Sequence, residues 1–333
     1  MGVKGLNSLI TQWCRKQIKP TNINALFGKK IAIDTSIYMY EFKGRKSLLR
    51  DFNDMIVMFR NNNITPIFVF DGKAPVEKNE TLIVRRENKK RSEDEYKLLL
   101  DELVALDGLQ EPSLSLETDR RKIMSRLTLL EDKFVRINRD DIYNVKQLMD
   151  LYGVTYYEHD GEAEQLCSKL VIDGSVYACM SDDMDLFIYG CPRILKRLDL
   201  YRNTVDYYDL EVILKILNVT LLEFKYICVL SGTDYNKKGG TPISIKNAFK
   251  LFSAYQYEVK CRKAAPNSFY YYISNTVRNV NINYKDLFGI VEMFELSDVK
   301  IPNNLNCRSS SSVKNIGNAD DDSRKKLLHL LTL

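Results

Sequence analysis

The feature that most constrains this chain is a set of short apolar runs, each ended by an acidic residue. Ile31-Ala32-Ile33 stops at Asp34, Ile67-Phe68-Val69-Phe70 stops at Asp71, and Val176-Tyr177-Ala178-Cys179-Met180 is followed by Asp182, Asp183 and Asp185. Runs this apolar, without polar alternation, suit strands covered on both faces, as in a parallel sheet sandwiched between helices. Helical spacing separates them. Leu48, Leu49, Phe52, Met55, Ile56 and Phe59 make one stripe, and Ile142, Val145, Leu148, Met149 and Tyr152 make another before Gly153 supplies a stop. Strand and helix in alternation predict an α/β domain with a mainly parallel central sheet flanked by helices.

Ligands of open parallel sheets bind beyond the carboxyl ends of the strands, so acid-terminated strands converge on one crevice. Taken singly, each Asp has a plainer role as the cap of the following helix. Two more acidic groups weaken that reading: Glu162 and Glu164 open a helix after the strand-like Val154 to Tyr157, and Asp234 follows a helix ending at Leu230. With Asp34, Asp71, Asp183 and Asp185 they make a crevice of seven carboxylates, and neighbouring like charges oppose one another's ionisation. Divalent cations remove that conflict. His159 and His329 are the only imidazoles, and the seven cysteines are scattered with no Cys-x-x-Cys pair, which argues against a structural zinc site or a His-based triad. Oxygen-only ligation selects Mg²⁺ or Mn²⁺. Two such ions about 3.5–4 Å apart activate a water and stabilise the leaving oxygen in phosphodiester hydrolysis. A two-metal phosphodiesterase is one reading; paired acids in solvated loops are the other.

The rest of the chain adds bases and excludes membranes. Among 333 residues, Lys+Arg number 49 and Asp+Glu 44, a net +5 that by itself announces no partner. No apolar run approaches the roughly 18–20 residues of a membrane span, and Lys4, Arg15, Lys16 and Lys19 interrupt the amino-terminal segment, so neither a signal peptide nor a membrane anchor is expected. From Lys73 to about Arg139 the pattern is an inserted pair of helices with basic faces: either a solvated hairpin or an electrostatic surface. Residues 221 to 252 read as helix, loop, helix, and the Asn- and Ser-rich composition beyond Asn303 predicts a flexible tail.

Six blocks carry a resemblance: Met1-Gly2-Val3-Lys4-Gly5-Leu6, Ile31-Ala32-Ile33-Asp34-Thr35-Ser36, Val69-Phe70-Asp71-Gly72-Lys73-Ala74-Pro75, Gly161-Glu162-Ala163-Glu164-Gln165, Ser181-Asp182-Asp183-Met184-Asp185 and Gly232-Thr233-Asp234-Tyr235. In this order they resemble the XPG/flap endonuclease family of structure-specific nucleases, in a compact form similar to those of large DNA viruses. The resemblance implies a PIN-like core with an inserted helical arch and a helix-two-turn-helix. Its organisation would be an N-region at 1–95, the arch at 96–139, an I-region at 140–250 with the helix-two-turn-helix from about 221, a helical part at 251–302 and a flexible tail at 303–333.

The implied activity is Mg²⁺-dependent cleavage of DNA at single-strand/duplex junctions, 5′ flaps or bubbles, in replication, repair or recombination. Asp34, Asp71, Glu162 and Glu164 match ligands of a first Mg²⁺, and Asp183, Asp185 and Asp234 those of a second, with Mn²⁺ a substitute. Lys78 and Arg85 match a basic pair facing the scissile phosphate; seven residues apart, they would share one helix face. Tyr40 sits where relatives stack an aromatic on a base, a buried core Tyr being the alternative, and Gly2, Gly232, Lys237, Lys238 and Lys246 are further candidate DNA contacts. K⁺ binding in the helix-two-turn-helix is put in doubt by Gly239-Gly240-Thr241-Pro242-Ile243-Ser244, which departs from the family's Gly-x-Gly hairpin. Met55 and Met58 stand where some relatives carry DNA-contacting Arg and read as core. No sliding-clamp motif is found. A monomer acting on branched DNA in the nucleus, the host's if virus-encoded, is expected. A catalytically inactive DNA-binding scaffold and a PIN-type ribonuclease are the other readings.

Overall fold

The computed structural model describes residues 2–107, 114–131, 133–236, 243–265, 269–276, 284–302 and 321–332. Seven strands form one sheet: β1 (Lys19–Asn22), β2 (Lys30–Asp34), β3 (Thr65–Phe70), β4 (Thr155–Glu158), β5 (Ala178–Met180), β6 (Arg193–Asp199) and β7 (Thr204–Asp209). Their spatial order is β1-β7-β6-β5-β2-β3-β4. The β4-β3-β2-β5-β6 part is parallel throughout, while β7 pairs antiparallel with both β6 and β1. The apolar runs in the sequence are the parallel centre, as expected. The antiparallel edge escaped notice because Lys19–Asn22 and Thr204–Asp209, like the adjoining Arg193–Asp199, are mixed in polarity.

Strand parity sorts the core into two layers, because successive side chains point to opposite faces. Ala32, Ile67, Val69, Cys179 and Ile194 enter one layer; Ile31, Ile33, Phe68, Phe70, Met180 and Leu195 enter the other. The first is covered by α1 (Leu6–Trp13), which precedes the sheet, and by later helices introduced below. The second is covered by α2 (Thr35–Gly44) and α3 (Leu48–Asn61). Met55 and Met58 of α3 are buried in it, as their helical spacing predicts.

The insertion after β3 is a helical pair, α4 (Asn79–Asp107) and α5 (Leu114–Glu131), as expected from its sequence. In α5, Ile123, Leu127 and Leu130 are buried at helical spacing. Arg126 pairs with Glu95 at 2.6 Å, and the Tyr96 hydroxyl donates to Glu131 at 2.9 Å, so polar contacts across the pair add to that small apolar seam. The chain returns through α6 (Arg139–Tyr152), started by an Asn138/Asp141 capping box and ended by Gly153 in the left-handed conformation. Then come α7 (Ala163–Ile172), the short α8 (Asp185–Ile188), α9 (Leu210–Leu217), α10 (Leu221–Ser231), α11 (Ile245–Lys260), α12 (Phe269–Thr276) and α13 (Tyr284–Glu292). Helices α7, α10 and α11 lie on the α1 side.

One expectation needs correcting. Residues 303–320 lie outside the described residues, but Asp321–Leu331 is a helix, α14, rather than part of a flexible tail. Its Leu330 is buried and Leu327 and Leu331 pack against the α3 and α6 layer, so an apolar spacing too short to fold alone is stabilised by docking. No described helix is long and apolar enough to cross a membrane.

Candidate metal centre

The carboxyl ends of β4, β3, β2 and β5 lie side by side, and each feeds an acid into the same crevice. Asp34 closes β2 and is the N-cap residue of α2; Asp71 follows β3; Glu162 is the N-cap residue of α7, with Glu164 in its first turn; Asp183 and Asp185 lie in the turn after β5. Asp234 joins from the loop after α10. The plain helix-cap reading fails where it was most natural, since neither Asp34 nor Glu162 makes a side-chain cap hydrogen bond.

The turns that present these acids are themselves pinned. The Ser181 hydroxyl donates to Asp34 Oδ2 at 2.9 Å and accepts from the Asp183 amide at 3.1 Å. Asp185 N–H donates to Asp183 Oδ1 at 3.0 Å, and Ala163 N–H donates to Asp71 Oδ1 at 2.7 Å. Behind the turn, the buried Lys196 ammonium on β6 donates to the Asp182 carbonyl at 2.6 Å, while the Arg197 amide donates to the Asp182 carboxylate at 2.9 Å. Gly72 is required by contact distance: a Cβ there would stand 2.0 Å from the His159 carbonyl oxygen, where the β3 and β4 exits cross. Gly2, at φ +83°, lies so close that a Cβ would meet Asp185 Oδ1 at 2.4 Å and Asp183 Oδ1 at 2.6 Å.

Electrostatically the crevice is overloaded with negative charge. Asp34, Glu164 and Asp185 are buried. Burial first, then the charge of Asp71, pushes the Asp34 carboxyl up to about 8, against the pull of its Ser181 hydrogen bond. Burial and then Asp34 and Glu162 hold the Glu164 carboxyl well above the usual carboxylate range; burial and then Asp183 and Asp234 do the same to Asp185. Asp34 Oδ1 and both Asp185 oxygens are buried without a hydrogen-bond partner. Among the described residues, no group of three or more His, Cys, Asp or Glu side chains is arranged to enclose a metal ion. Two cations already occupy part of the set. Lys78 pairs with Glu162 and reaches Asp234 Oδ2 at 3.5 Å, and Arg85 holds the same Asp234 oxygen at 2.6 Å.

Lys78 does not share the helix of Arg85 as its spacing implied. It sits in a tight turn, Val76–Lys78, just ahead of α4, and both side chains nevertheless meet at Asp234. Burial alone would discharge Lys78, but Glu162, and with it Glu164 and Asp234, holds its ammonium above the ordinary lysine range. Tyr235, quoted in the sequence without a role, donates its hydroxyl to the other Glu162 oxygen and lies 3.2 Å from the Tyr189 hydroxyl. Sequence reasoning also missed Ser181 and Lys196; a lone Ser before two Asp and a Lys within a strand carry no distinguishing spacing.

Tyr40 is not a core residue. Its ring is 48% exposed and lines a cleft of about 300 Å³ with Ser36, Met39, Phe70, Asp71 and Lys146. Gly232 ends α10 and its carbonyl accepts from the Lys4 amide at 3.1 Å, tying the amino-terminal segment to the Asp234 loop. Lys246 is exposed in the first turn of α11. Lys237, Lys238 and the Gly239-Gly240 hairpin expected to bear on K⁺ lie outside the described residues.

Comparison with known proteins places this arrangement. The XPG N-terminal domain matches residues 1–93 and the XPG I-region matches residues 153–234, together more than half of the chain. Flap endonuclease 1 of Vanderwaltozyma polyspora is 31% identical over 277 residues, covering 77% of this chain and 67% of that protein. Among solved structures, the catalytic core of Rad2 in complex with DNA substrate matches with a TM-score of 0.60 at 22% identity over 99% of each chain. The flap endonuclease-1 of Methanococcus jannaschii matches with a TM-score of 0.54 at 23% identity over 95% of each. The PIN-like fold read from the resemblance is therefore the observed one. With both halves of the carboxylate crevice inside the matched regions, the chain belongs to the XPG/flap endonuclease family and is a DNA endonuclease.

Proposed function

We propose that the crevice binds two divalent cations, Mg²⁺ or Mn²⁺, and that the chain cleaves DNA where single strand meets duplex, as at a 5′ flap or bubble. The observation that carries this reading is the set of orphaned, buried oxygens on Asp34 and Asp185 in the carboxylate crevice. A buried acceptor without a partner costs about 1–3 kcal/mol, and more when charged, so retaining three calls for a compensating ligand. An all-oxygen donor set fits a hard cation. Asp34, Asp71, Glu162 and Glu164 are the donors assigned to one ion, and Asp183, Asp185 and Asp234 to the other. Bound there, such ions supply charge neutralisation at the phosphodiester and activation of the attacking water.

The chain's own residues position the substrate. Lys78 and Arg85 exchange their carboxylate partners for the phosphate and stabilise the charge that develops on its oxygens. Tyr40 offers an exposed ring beside Asp71, suited to stacking on a base next to the cut. The α4 and α5 pair carries as many acids as bases, so the single strand is met by the local basic run Arg85, Arg86, Lys89, Lys90 and Arg91 of α4. Lys246, with Gly232, Lys237 and Lys238, grips duplex backbone without reading sequence, and Gly2 borders the path of the scissile strand. Replication, repair or recombination of nuclear DNA is the setting that such an activity serves.

The test is a panel of labelled 5′-flap, bubble and plain duplex DNA, with a matching RNA flap, in Mg²⁺ or EDTA. The reading expects Mg²⁺-dependent cutting near the junction of branched DNA, with Asp183→Ala abolishing cutting but retaining binding. Equal inactivity on every substrate by a folded protein would sink it.

A further inference from the structure

The end of the sheet opposite the carboxylates carries a second charged surface that the catalytic reading does not use. Because β1 and β6 are both antiparallel to β7, β1 runs parallel to β6, so the starts of β1, β2 and β6 share one edge. Lys19 opens β1, Lys29 and Lys30 stand at the start of β2, and Arg193 opens β6. Two of these cations meet at one ring. Lys29 Nζ lies 4.9 Å from the centre of the Tyr177 ring, Arg193 Cζ lies 4.8 Å from the same centre, and Tyr207 is the register partner of Lys19. Arg193 Nε also donates to the Tyr177 carbonyl.

Lys19, Lys29 and Lys30 are exposed, and none has a carboxylate partner among the described residues. Of the acids on β7, Asp209 faces Arg193 across the β6–β7 pair and accepts from the Val212 amide as the cap of α9, and Asp206, in register with Pro20, pairs with Arg197. From β1 to β2 the sheet order makes four inter-strand steps, roughly 19 Å at about 4.8 Å each. That length matches about five or six phosphates along one strand.

We propose that this edge is a second DNA-binding surface, which holds the phosphate backbone of a duplex segment while the carboxylate edge holds the junction. The inference goes beyond the junction-cleaving reading and rests on it for the first DNA segment. Backbone rather than base recognition follows from Tyr177: with a cation over the ring from Lys29 and another from Arg193, the ring orients charges and is not free to stack on a base. An acidic protein partner would also answer to the charge, but a chain that belongs to a DNA endonuclease family already meets a phosphate backbone at its other end, which favours a second segment of DNA.

The experiment uses the full chain in EDTA at low salt, held on an immobilised 5′-flap hairpin and challenged with a labelled blunt duplex of about 40 base pairs. The labelled duplex is expected to be retained only when the chain is present. In Lys19→Gln/Lys29→Gln/Lys30→Gln, retention is lost, and the slope of log affinity for duplex against log salt falls by about 2.7, three contacts at about 0.9 each. The triple Lys→Arg variant restores both, which separates loss of charge from loss of fold. A wild-type chain that binds the hairpin but retains no duplex overturns the inference, as does a triple Gln variant that retains it fully. Failure to bind the hairpin itself overturns the junction reading instead, so the two failures are distinct.

Discussion

Substituting Asp34 by Asn will flatten the pH dependence of stability in the metal-free protein and abolish cutting in the same step. The Asp34 carboxyl is buried, holds one hydrogen bond from Ser181, leaves its other oxygen unpartnered, and is pushed up to about 8. In the unfolded chain the same group titrates near 3.9. The sign follows from that pair of values. Below pH about 4 both states are protonated and the group costs nothing. Between about 4 and 8 only the unfolded chain ionises, so stability falls as pH rises, by about 1.4 kcal/mol per pH unit for one proton. From pH 5 to pH 8 the single group removes on the order of 4 kcal/mol. Glu164 and Asp185, raised by the same causes, act in the same direction. Urea unfolding in EDTA at pH 5, 6.5 and 8 reads this directly: wild type loses stability across the series, Asp34→Asn loses measurably less, and Mg²⁺ restores wild type but not the variant. A wild-type curve that is flat or rising, or a variant with the wild-type slope, refutes the reasoning.

Other consequences can be checked separately. Lys78→Ala should lower the single-turnover rate on a flap substrate by roughly 10²–10³, the usual effect of removing one charge-stabilising donor, with a smaller change in binding. Gly72→Ala should destabilise the fold, because its Cβ would press on the His159 carbonyl; a fall of several degrees in melting temperature checks it, and an unchanged value would mean the crossing backbones can part. Lys196→Met removes the donor that holds the Asp182 carbonyl from behind. It should cost about 1–3 kcal/mol and slow cutting even at saturating Mg²⁺, measured by unfolding and by steady-state turnover.

The parallel centre of the sheet was legible because burial on both faces leaves an uninterrupted apolar run, and because Asp34, Asp71 and the Ser181–Asp185 turn stand at the ends of those runs. The site was legible for the same reason: topology delivers strand ends to one place. The antiparallel edge was not, since Lys19, Pro20, Lys196 and Arg197 carry little hydrophobic signal. Contacts between distant residues were also hidden. Ser181 with Asp34, Tyr235 with Glu162, and Lys196 with the Asp182 carbonyl depend on tertiary placement that no local spacing encodes. Tyr40 shows the limit from the other side: helical periodicity could not decide whether its ring faced core or solvent, and neighbouring Met39 took the core position instead. Leu330 is legible only once α3 and α6 exist to receive it.

The sorting of β2 and β3 into two layers makes each strand a ruler with a two-residue graduation. Ile31, Ile33, Phe68 and Phe70 face one layer while Ala32, Ile67 and Val69 face the other. Adding or deleting one residue before Asp34 or Asp71 would therefore exchange the occupants of both layers, or carry the acid to the wrong side of the sheet. Length is constrained differently in α4 and α5, where Arg126–Glu95 and Tyr96–Glu131 set a helical register, than in the few positions of each strand. An insertion in the helical pair keeps its facing side chains only near whole turns of about 3.6 residues, whereas a strand that ends in a carboxylate tolerates changes only in steps of two.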